Sequence, residues 1–165
     1  MDSLQPIKNY AAYRRTLWIL FFAVFSGALM FWLIVFVFLP FHARSGPSFL
    51  DKIYWFFILA EGAAFFILQS KLLATVRAEK TLTAKLRRYQ TFFLIRLAIL
   101  EGLIIFGIVI GMTQGSVAAQ RISMMFILLM LLFFMPTTSR IATELQLNPQ
   151  EMRFLDHPDL PLEGK

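Results

Sequence analysis

Long apolar runs separated by short polar segments are the main feature of this sequence. The first run, residues 16–39, contains no charged residue. About 20 apolar residues are enough for a helix to cross the hydrocarbon core of a bilayer. A signal peptide has a shorter apolar core, and more apolar runs follow here. The pattern therefore predicts a retained membrane helix.

Three further apolar segments follow, and the last is the shortest. Its uncharged part, residues 122–135, reaches the length of a span only if Gln120 and Arg121 begin the helix and residues 137–140 continue it. We predict an all-α polytopic membrane protein, an antiparallel bundle of four transmembrane helices. The predicted helices cover about 16–40, 53–79, 82–112 and 120–139.

Polar segments divide the chain into a short N-terminal segment (1–15), a transmembrane domain (16–140) and an acidic tail (141–165). Residues 71–90 lack Gly and Pro, so we expect a helical hairpin with a tight turn near Lys80 or Thr81. Ser48 or Asp51 is a candidate cap for the second helix. In the tail we expect a short helix over 141–147 and an extended, mobile remainder.

The basic residues predict the orientation of the chain. Cytoplasmic loops carry an excess of Lys and Arg. With the N-terminus inside, the segments predicted to be cytoplasmic hold twelve Lys and Arg residues and the outer loops hold three. We therefore expect both termini in the cytoplasm. The net charge of +6 is then explained by the basic residues that set the topology and contact anionic lipid head groups. No nucleic acid partner is predicted.

Composition narrows the possible chemistry. Hydrophobic residues make up 58% of the chain and charged residues 16%, where a soluble domain has about a quarter charged. The absence of cysteine excludes disulfides, thiol nucleophiles and Cys-based metal sites. His42 and His157 lie far apart in the sequence, so we predict no metal site. No nucleotide-binding, zinc-protease or serine-hydrolase motif is present, and no cofactor is predicted.

Glu61 and Glu101 are the candidates for chemistry. Each lies at the centre of its predicted span, and each is followed by glycine, Gly62 and Gly102. An ionised acid at the middle of a bilayer costs about 2.5–3.5 kcal/mol even on the insertion scale. Such a group either takes up a proton or finds a cation or hydrogen-bond donor inside the bundle. The two helices run in opposite directions, so both acids come to a similar depth.

Two interpretations of these acids remain open. In the functional one, Glu61 and Glu101 face each other and bind a proton or small cation. Arg96 is the only basic residue inside the apolar segments 16–39, 53–70, 91–112 and 122–135. Arg96 lies near the cytoplasmic boundary and is equally expected to extend towards the head groups. In the structural interpretation, the acids fix helix register, while Gly62 and Gly102 allow close helix packing.

The second half of the chain carries a recognisable set of residues. They are Leu86-Arg87-Arg88-Tyr89-Gln90, Ile95-Arg96-Leu97-Ala98-Ile99-Leu100-Glu101-Gly102, Phe106, Pro136, Ile141 and Glu144. This pattern resembles a group of small four-helix integral membrane proteins of Bacteroidetes-type bacteria. The resemblance implies a four-helix fold in the inner membrane of a bacterium, and it carries no activity over to this chain.

Three classes of function follow from the sequence. The first is a non-enzymatic scaffold or accessory subunit of a membrane complex, forming a homo-oligomer or binding other membrane subunits. The second is a proton- or cation-handling protein that uses Glu61 and Glu101. A membrane-embedded enzyme is third, because no nucleophile–base pattern is found.

Overall fold

The structure, a computed structural model, describes residues 9–39, 42 and 49–160. Every regular element in this part of the chain is helical. The helices are α1 (Tyr10–Leu33), which continues as a π-helical segment (Ile34–Phe38), α2 (Phe49–Arg77), α3 (Leu82–Gln114), α4 (Val117–Phe133), α5 (Thr138–Leu145) and α6 (Pro149–Asp156).

Three helical runs among the described residues are long and apolar enough to cross a membrane. They are Tyr10–Phe38, Phe49–Arg77 and Leu82–Gln114. α4 and α5 are together long and apolar enough for a fourth span, but the chain bends by 83° between them. A fourth span exists only if these two helices count as one broken span. The described chain is thus all-α, with three to four candidate membrane helices.

The first helix begins at Tyr10, ahead of the predicted residue 16. The Asn9 side chain accepts a hydrogen bond from the Ala12 backbone N–H at 2.9 Å, which satisfies one of the free donors at the helix start. Arg14 and Arg15 lie exposed on this first part of α1. Ser48, a proposed cap of the second helix, lies outside the described residues.

The helical hairpin between the second and third segments is confirmed. α2 ends at Arg77 and α3 begins at Leu82, with the turn in residues 78–81. The Thr81 hydroxyl accepts a hydrogen bond from the Ala84 backbone N–H at 3.3 Å and so caps α3. No long linker separates the two helices.

The expectation that residues 137–140 continue the fourth helix is wrong. α4 ends at Phe133, and a separate helix, α5, starts at Thr138. Pro136 explains the break, since it has no backbone N–H and disfavours helical geometry in the residue before it. Thr137 then caps α5 by accepting a hydrogen bond from the Arg140 backbone N–H at 3.3 Å.

The tail is more ordered than expected. The predicted helix near 141–147 is present as α5, but the following residues, 149–156, form α6 instead of an extended segment. A reciprocal capping box starts α6: the Asn148 side chain accepts from the Glu151 N–H, and the Glu151 carboxylate accepts from the Asn148 N–H. Pro149 at the first helical position completes this start signal.

The described residues form two compact units. The polar unit comprises the described residues of Met1–Leu20, Gln69–Leu94 and Pro136–Lys165. The apolar unit comprises those of Phe21–Leu68 and Ile95–Met135. The first three helices each contribute residues to both units, and the two units are described separately below.

In the polar unit, the tail packs on the hairpin. Tyr89 donates a hydrogen bond to the Glu144 carboxylate at 2.8 Å, and Arg77 Nε donates to the Glu144 backbone carbonyl at 2.8 Å. Lys85 and Glu151 form an ion pair at 2.7 Å with both side chains largely buried. Backbone, side-chain and ionic contacts therefore fix α5 and α6 to the start of α3 and the end of α2.

The start of α1 belongs to the same polar unit. The buried Tyr13 side chain donates a hydrogen bond to the Leu86 carbonyl at 2.9 Å. The Ala11 backbone N–H donates to the Pro158 carbonyl at 3.0 Å. The beginning of the described chain thus contacts both the hairpin and the region after α6.

In the apolar unit, a core forms around the buried residues Tyr54, Ile110 and Ala119. Tyr54 reaches across to α3, where its hydroxyl donates to the Leu103 carbonyl at 3.3 Å. Gly107 makes this approach possible, because a Cβ atom there would lie 2.7 Å from Tyr54 Cζ. Such a distance is shorter than van der Waals contact allows, so the absence of a side chain is a packing requirement.

We expect Gly107→Ala to destabilise the protein by about 1–3 kcal/mol, since overpacking displaces the Tyr54 ring. Gly102→Ala is the matched control, because nothing lies within 4 Å of a Cβ atom at that position. There the gain in helix propensity should stabilise by about 0.5–1 kcal/mol. Thermal unfolding in detergent measures both, and equal effects of the two changes would contradict this packing.

Candidate functional site

The face of α2 that turns towards the rest of the apolar unit carries Asp51, Tyr54, Ile58, Glu61 and Phe65. These residues recur at intervals of three and four, the spacing of one helical face. Asp51 and Tyr54 are buried, and the other three are partly buried. Glu61 therefore lies on the inner side of α2 rather than on its lipid-accessible side.

A cavity of about 360 Å³ lies beside Glu61 and is bounded by α2, α3 and the end of α4. We call it the Glu61 groove. Apart from Glu61, every residue around it is apolar, and five are phenylalanines. The lining residues are Glu61, Gly62, Phe65, Phe66, Ile99, Leu100, Leu103, Phe126, Leu129, Phe133 and Phe134.

Glu61 places a carboxyl group in this groove. Its carboxyl oxygen Oε2 is buried and accepts no hydrogen bond from the described residues. An unsatisfied buried acceptor costs about 1–3 kcal/mol, and more if it is charged. Its oxygen Oε2 is therefore available to a donor from outside the described residues.

Arg96 lies close to the groove and is 7% exposed. Its guanidinium carbon Cζ is 5.0 Å from the centre of the Phe134 ring and 5.8 Å from that of Phe65. Both distances are within the range of cation–π attraction. Phe65 and Phe134 also line the groove, so Arg96 fixes two of its walls. The sequence pattern predicted Arg96 as a site residue but not its contact with Phe134, because Phe134 lies 38 residues further along the chain.

Glu101 has a different position from Glu61. On α3 the groove is lined by Ile99, Leu100 and Leu103, and Glu101 is absent from its lining. Two residues correspond to about 200° of rotation around a helix, so Glu101 leaves α3 on the side away from Ile99 and Leu103. Its side chain is partly buried there. The groove therefore gives no support to a site shared by both acids, which stays a hypothesis.

The two glycines that follow the acids have open space around them. No heavy atom lies within 4 Å of a Cβ atom built on Gly62 or Gly102, apart from their own chain neighbours and helix backbone. The close helix packing predicted at these positions is therefore not made by the described residues. Gly62 instead leaves room in the Glu61 groove.

A second polar cluster in the apolar unit is structural. Ser116 caps α4 by accepting a hydrogen bond from the Ala119 N–H at 3.2 Å, and it donates its own proton to the buried Asp51 carboxylate. Asp51 was a candidate cap for the second helix; the structure places it in the first turn of α2, where it accepts from Ser116. This contact fixes the start of α2 to the start of α4.

Metal ligation finds no support in the part of the chain that the structure describes. No group of three or more His, Cys, Asp or Glu side chains close enough to hold a metal ion occurs there. His42 and His157 are both exposed. The site's chemistry therefore rests on one carboxyl group in aromatic surroundings.

Comparison with known proteins gives no relative: no family model, no curated protein sequence and no solved structure matches this chain. The role of the chain is therefore inferred from its own residues and geometry.

Replacing Phe134 by leucine should remove the closer of the two rings from Arg96. We expect a loss of about 0.5–2 kcal/mol beyond the loss of apolar contact. Phe66→Leu is the matched control, since Phe66 also lines the groove but is 73% exposed. Thermal unfolding in detergent compares the two variants, and a Phe66→Leu effect as large as that of Phe134→Leu would contradict the cation–π assignment.

Proposed function

We propose that this chain is a bacterial inner-membrane protein with four antiparallel membrane segments, and that it serves as a scaffold or accessory subunit of a larger membrane complex. Both termini lie in the cytoplasm. The excess of Lys and Arg in the N-terminal segment, the hairpin and the tail supports this orientation. The resemblance of the second half of the chain to small bacterial four-helix membrane proteins supports the compartment.

The contacts of the polar unit support an even number of crossings. The start of α1, the α2–α3 hairpin and the tail pack together, through Tyr13 to Leu86, Tyr89 to Glu144 and Ala11 to Pro158. Segments in direct contact lie on the same side of a membrane. Since α3 leads away from the hairpin, the chain must cross once more before the tail, and α4 is the segment available for that crossing.

The observation that carries the subunit proposal is the weak internal packing of α2. In the most apolar part of α2 only 6% of the residues are buried, against 50% in α3. The outer face of α2 exposes large apolar side chains, among them Trp55, Phe56, Leu59 and Ile67. A membrane helix with an intramembrane acid and so little packing within its own chain is suited to contact another membrane protein.

A photo-crosslinking side chain at Leu59, which is 71% exposed on this outer face, tests the proposal. After irradiation in native membranes we expect an adduct of defined mass with another membrane protein, identified by mass spectrometry. Met30 on α1, which is also exposed, is the control position and should give lipid adducts alone. Identical lipid adducts from both positions would contradict a partner on α2.

Proton or cation handling is the second candidate, and the buried Glu61 Oε2 without a hydrogen-bond donor favours it. Intramembrane acids occur on ion and proton pathways. The apolar lining of the Glu61 groove weighs against a hydrated path, which places this candidate second.

Flux through reconstituted liposomes separates the two candidates. Proton or sodium handling predicts flux that is lost in Glu61→Gln or Glu101→Gln, because the amide cannot exchange a proton at neutral pH. If the chain is a subunit without transport activity, liposomes that contain the unmodified chain or either variant should show the same proton and sodium flux as protein-free liposomes. Flux dependent on either acid would replace the first proposal by the second.

A further inference from the structure

We infer that the Glu61 groove binds a lipophilic molecule that carries a protonated amine. The inference goes beyond the subunit proposal, which concerns the outer face of α2. It rests on the size of the groove, its aromatic lining, the space at Gly62 and the donor that Glu61 lacks.

The groove has the properties of a small-molecule site. Its volume of about 360 Å³ falls in the range of ligand pockets, which are mainly apolar and aromatic with a small number of polar groups. A partner helix fits it poorly, because helices approach closely in membranes over small residues. Phe65, Phe66, Phe126 and Phe133 project around this groove instead. Gly62 adds free space, with nothing within 4 Å of a Cβ atom there.

Glu61 selects the polar group of the ligand. It is the only groove-lining residue with a charged or polar side chain, and its buried Oε2 accepts no hydrogen bond from the described residues. A protonated amine supplies both a donor and the opposite charge, and charge-assisted hydrogen bonds are about twice as strong as neutral ones.

Arg96 determines which end of the groove takes the amine. Its guanidinium lies against Phe65 and Phe134, and Phe65 is one helical turn after Glu61. Repulsion by Arg96 therefore places the ligand's ammonium at the Glu61 end and its apolar part towards the rings.

The test uses the full chain in lipid nanodiscs and 4-phenylbutylamine as the probe. Equilibrium dialysis measures saturable binding relative to protein-free nanodiscs, which subtracts partition into lipid. We expect saturable binding of the amine, and binding of 4-phenylbutanol that is at least about tenfold weaker, since it lacks the charge. Equal affinity for amine and alcohol, or no saturable binding, would overturn the inference.

The chain provides matched variants for the same measurement. Glu61→Gln should weaken amine binding by about tenfold or more through loss of the charge, and Gly62→Leu should abolish binding by filling the groove. Glu101→Gln and Gly102→Leu are the controls, since neither residue lines the groove. Thermal unfolding verifies that each variant is folded. Unchanged binding in folded Gly62→Leu or Glu61→Gln, or equal losses in the controls, would refute this site.

Discussion

The hydrogen-bonding requirement of the peptide backbone in lipid is the constraint on which this structure depends. The hydrocarbon core offers no water to an unpaired N–H or C=O group, so a chain that enters it must satisfy these groups itself. The described residues meet this requirement with long continuous helices, and the interruptions fall between the helices. There, side chains replace the missing backbone partners: Asn9 caps α1, Thr81 caps α3 and Ser116 caps α4.

The same constraint makes Glu61 informative. A membrane helix satisfies its own backbone, but a carboxyl group on its surface needs a donor from elsewhere. The described residues surround Glu61 with aromatic and aliphatic side chains and give its Oε2 no donor. Arg96 is nearby and buried, and two phenylalanine rings stack against its guanidinium. The acid thus lines the groove directly, whereas the cation contacts two of its walls, and we propose that a ligand supplies the donor that Oε2 lacks.

Local features of the sequence predicted most of the helices. Apolar runs of sufficient length predicted the first three spans, and the absence of Gly and Pro in residues 71–90 predicted the hairpin. The break after α4 and the start of α6 have local causes too, Pro136 and the Asn148–Glu151 capping box. The length of the apolar run does not reveal the break after α4, and the acidic composition of the tail does not reveal the start of α6.

The features of the site were less accessible to sequence reasoning. The contact of Arg96 with Phe134 joins residues far apart in the chain, and periodicity cannot reveal it. The equal depth of Glu61 and Glu101 was inferred from span centres, which say nothing about rotation around each helix. Rotation separates them: Glu61 lines the groove, whereas Glu101 lies about 200° around α3 from Ile99, which also lines it.

The proposed topology places the start of α1, the hairpin and the tail on the cytoplasmic side of a bilayer. The chain has no cysteine, so single cysteines can be placed without background labelling. Exposed positions Lys52, Thr113, Lys80 and Asp159 suit this purpose. In sealed spheroplasts, a membrane-impermeant maleimide should label Lys52→Cys and Thr113→Cys. It should label Lys80→Cys and Asp159→Cys only after the membrane is permeabilised. Labelling of Lys80→Cys or Asp159→Cys in sealed spheroplasts would contradict this topology.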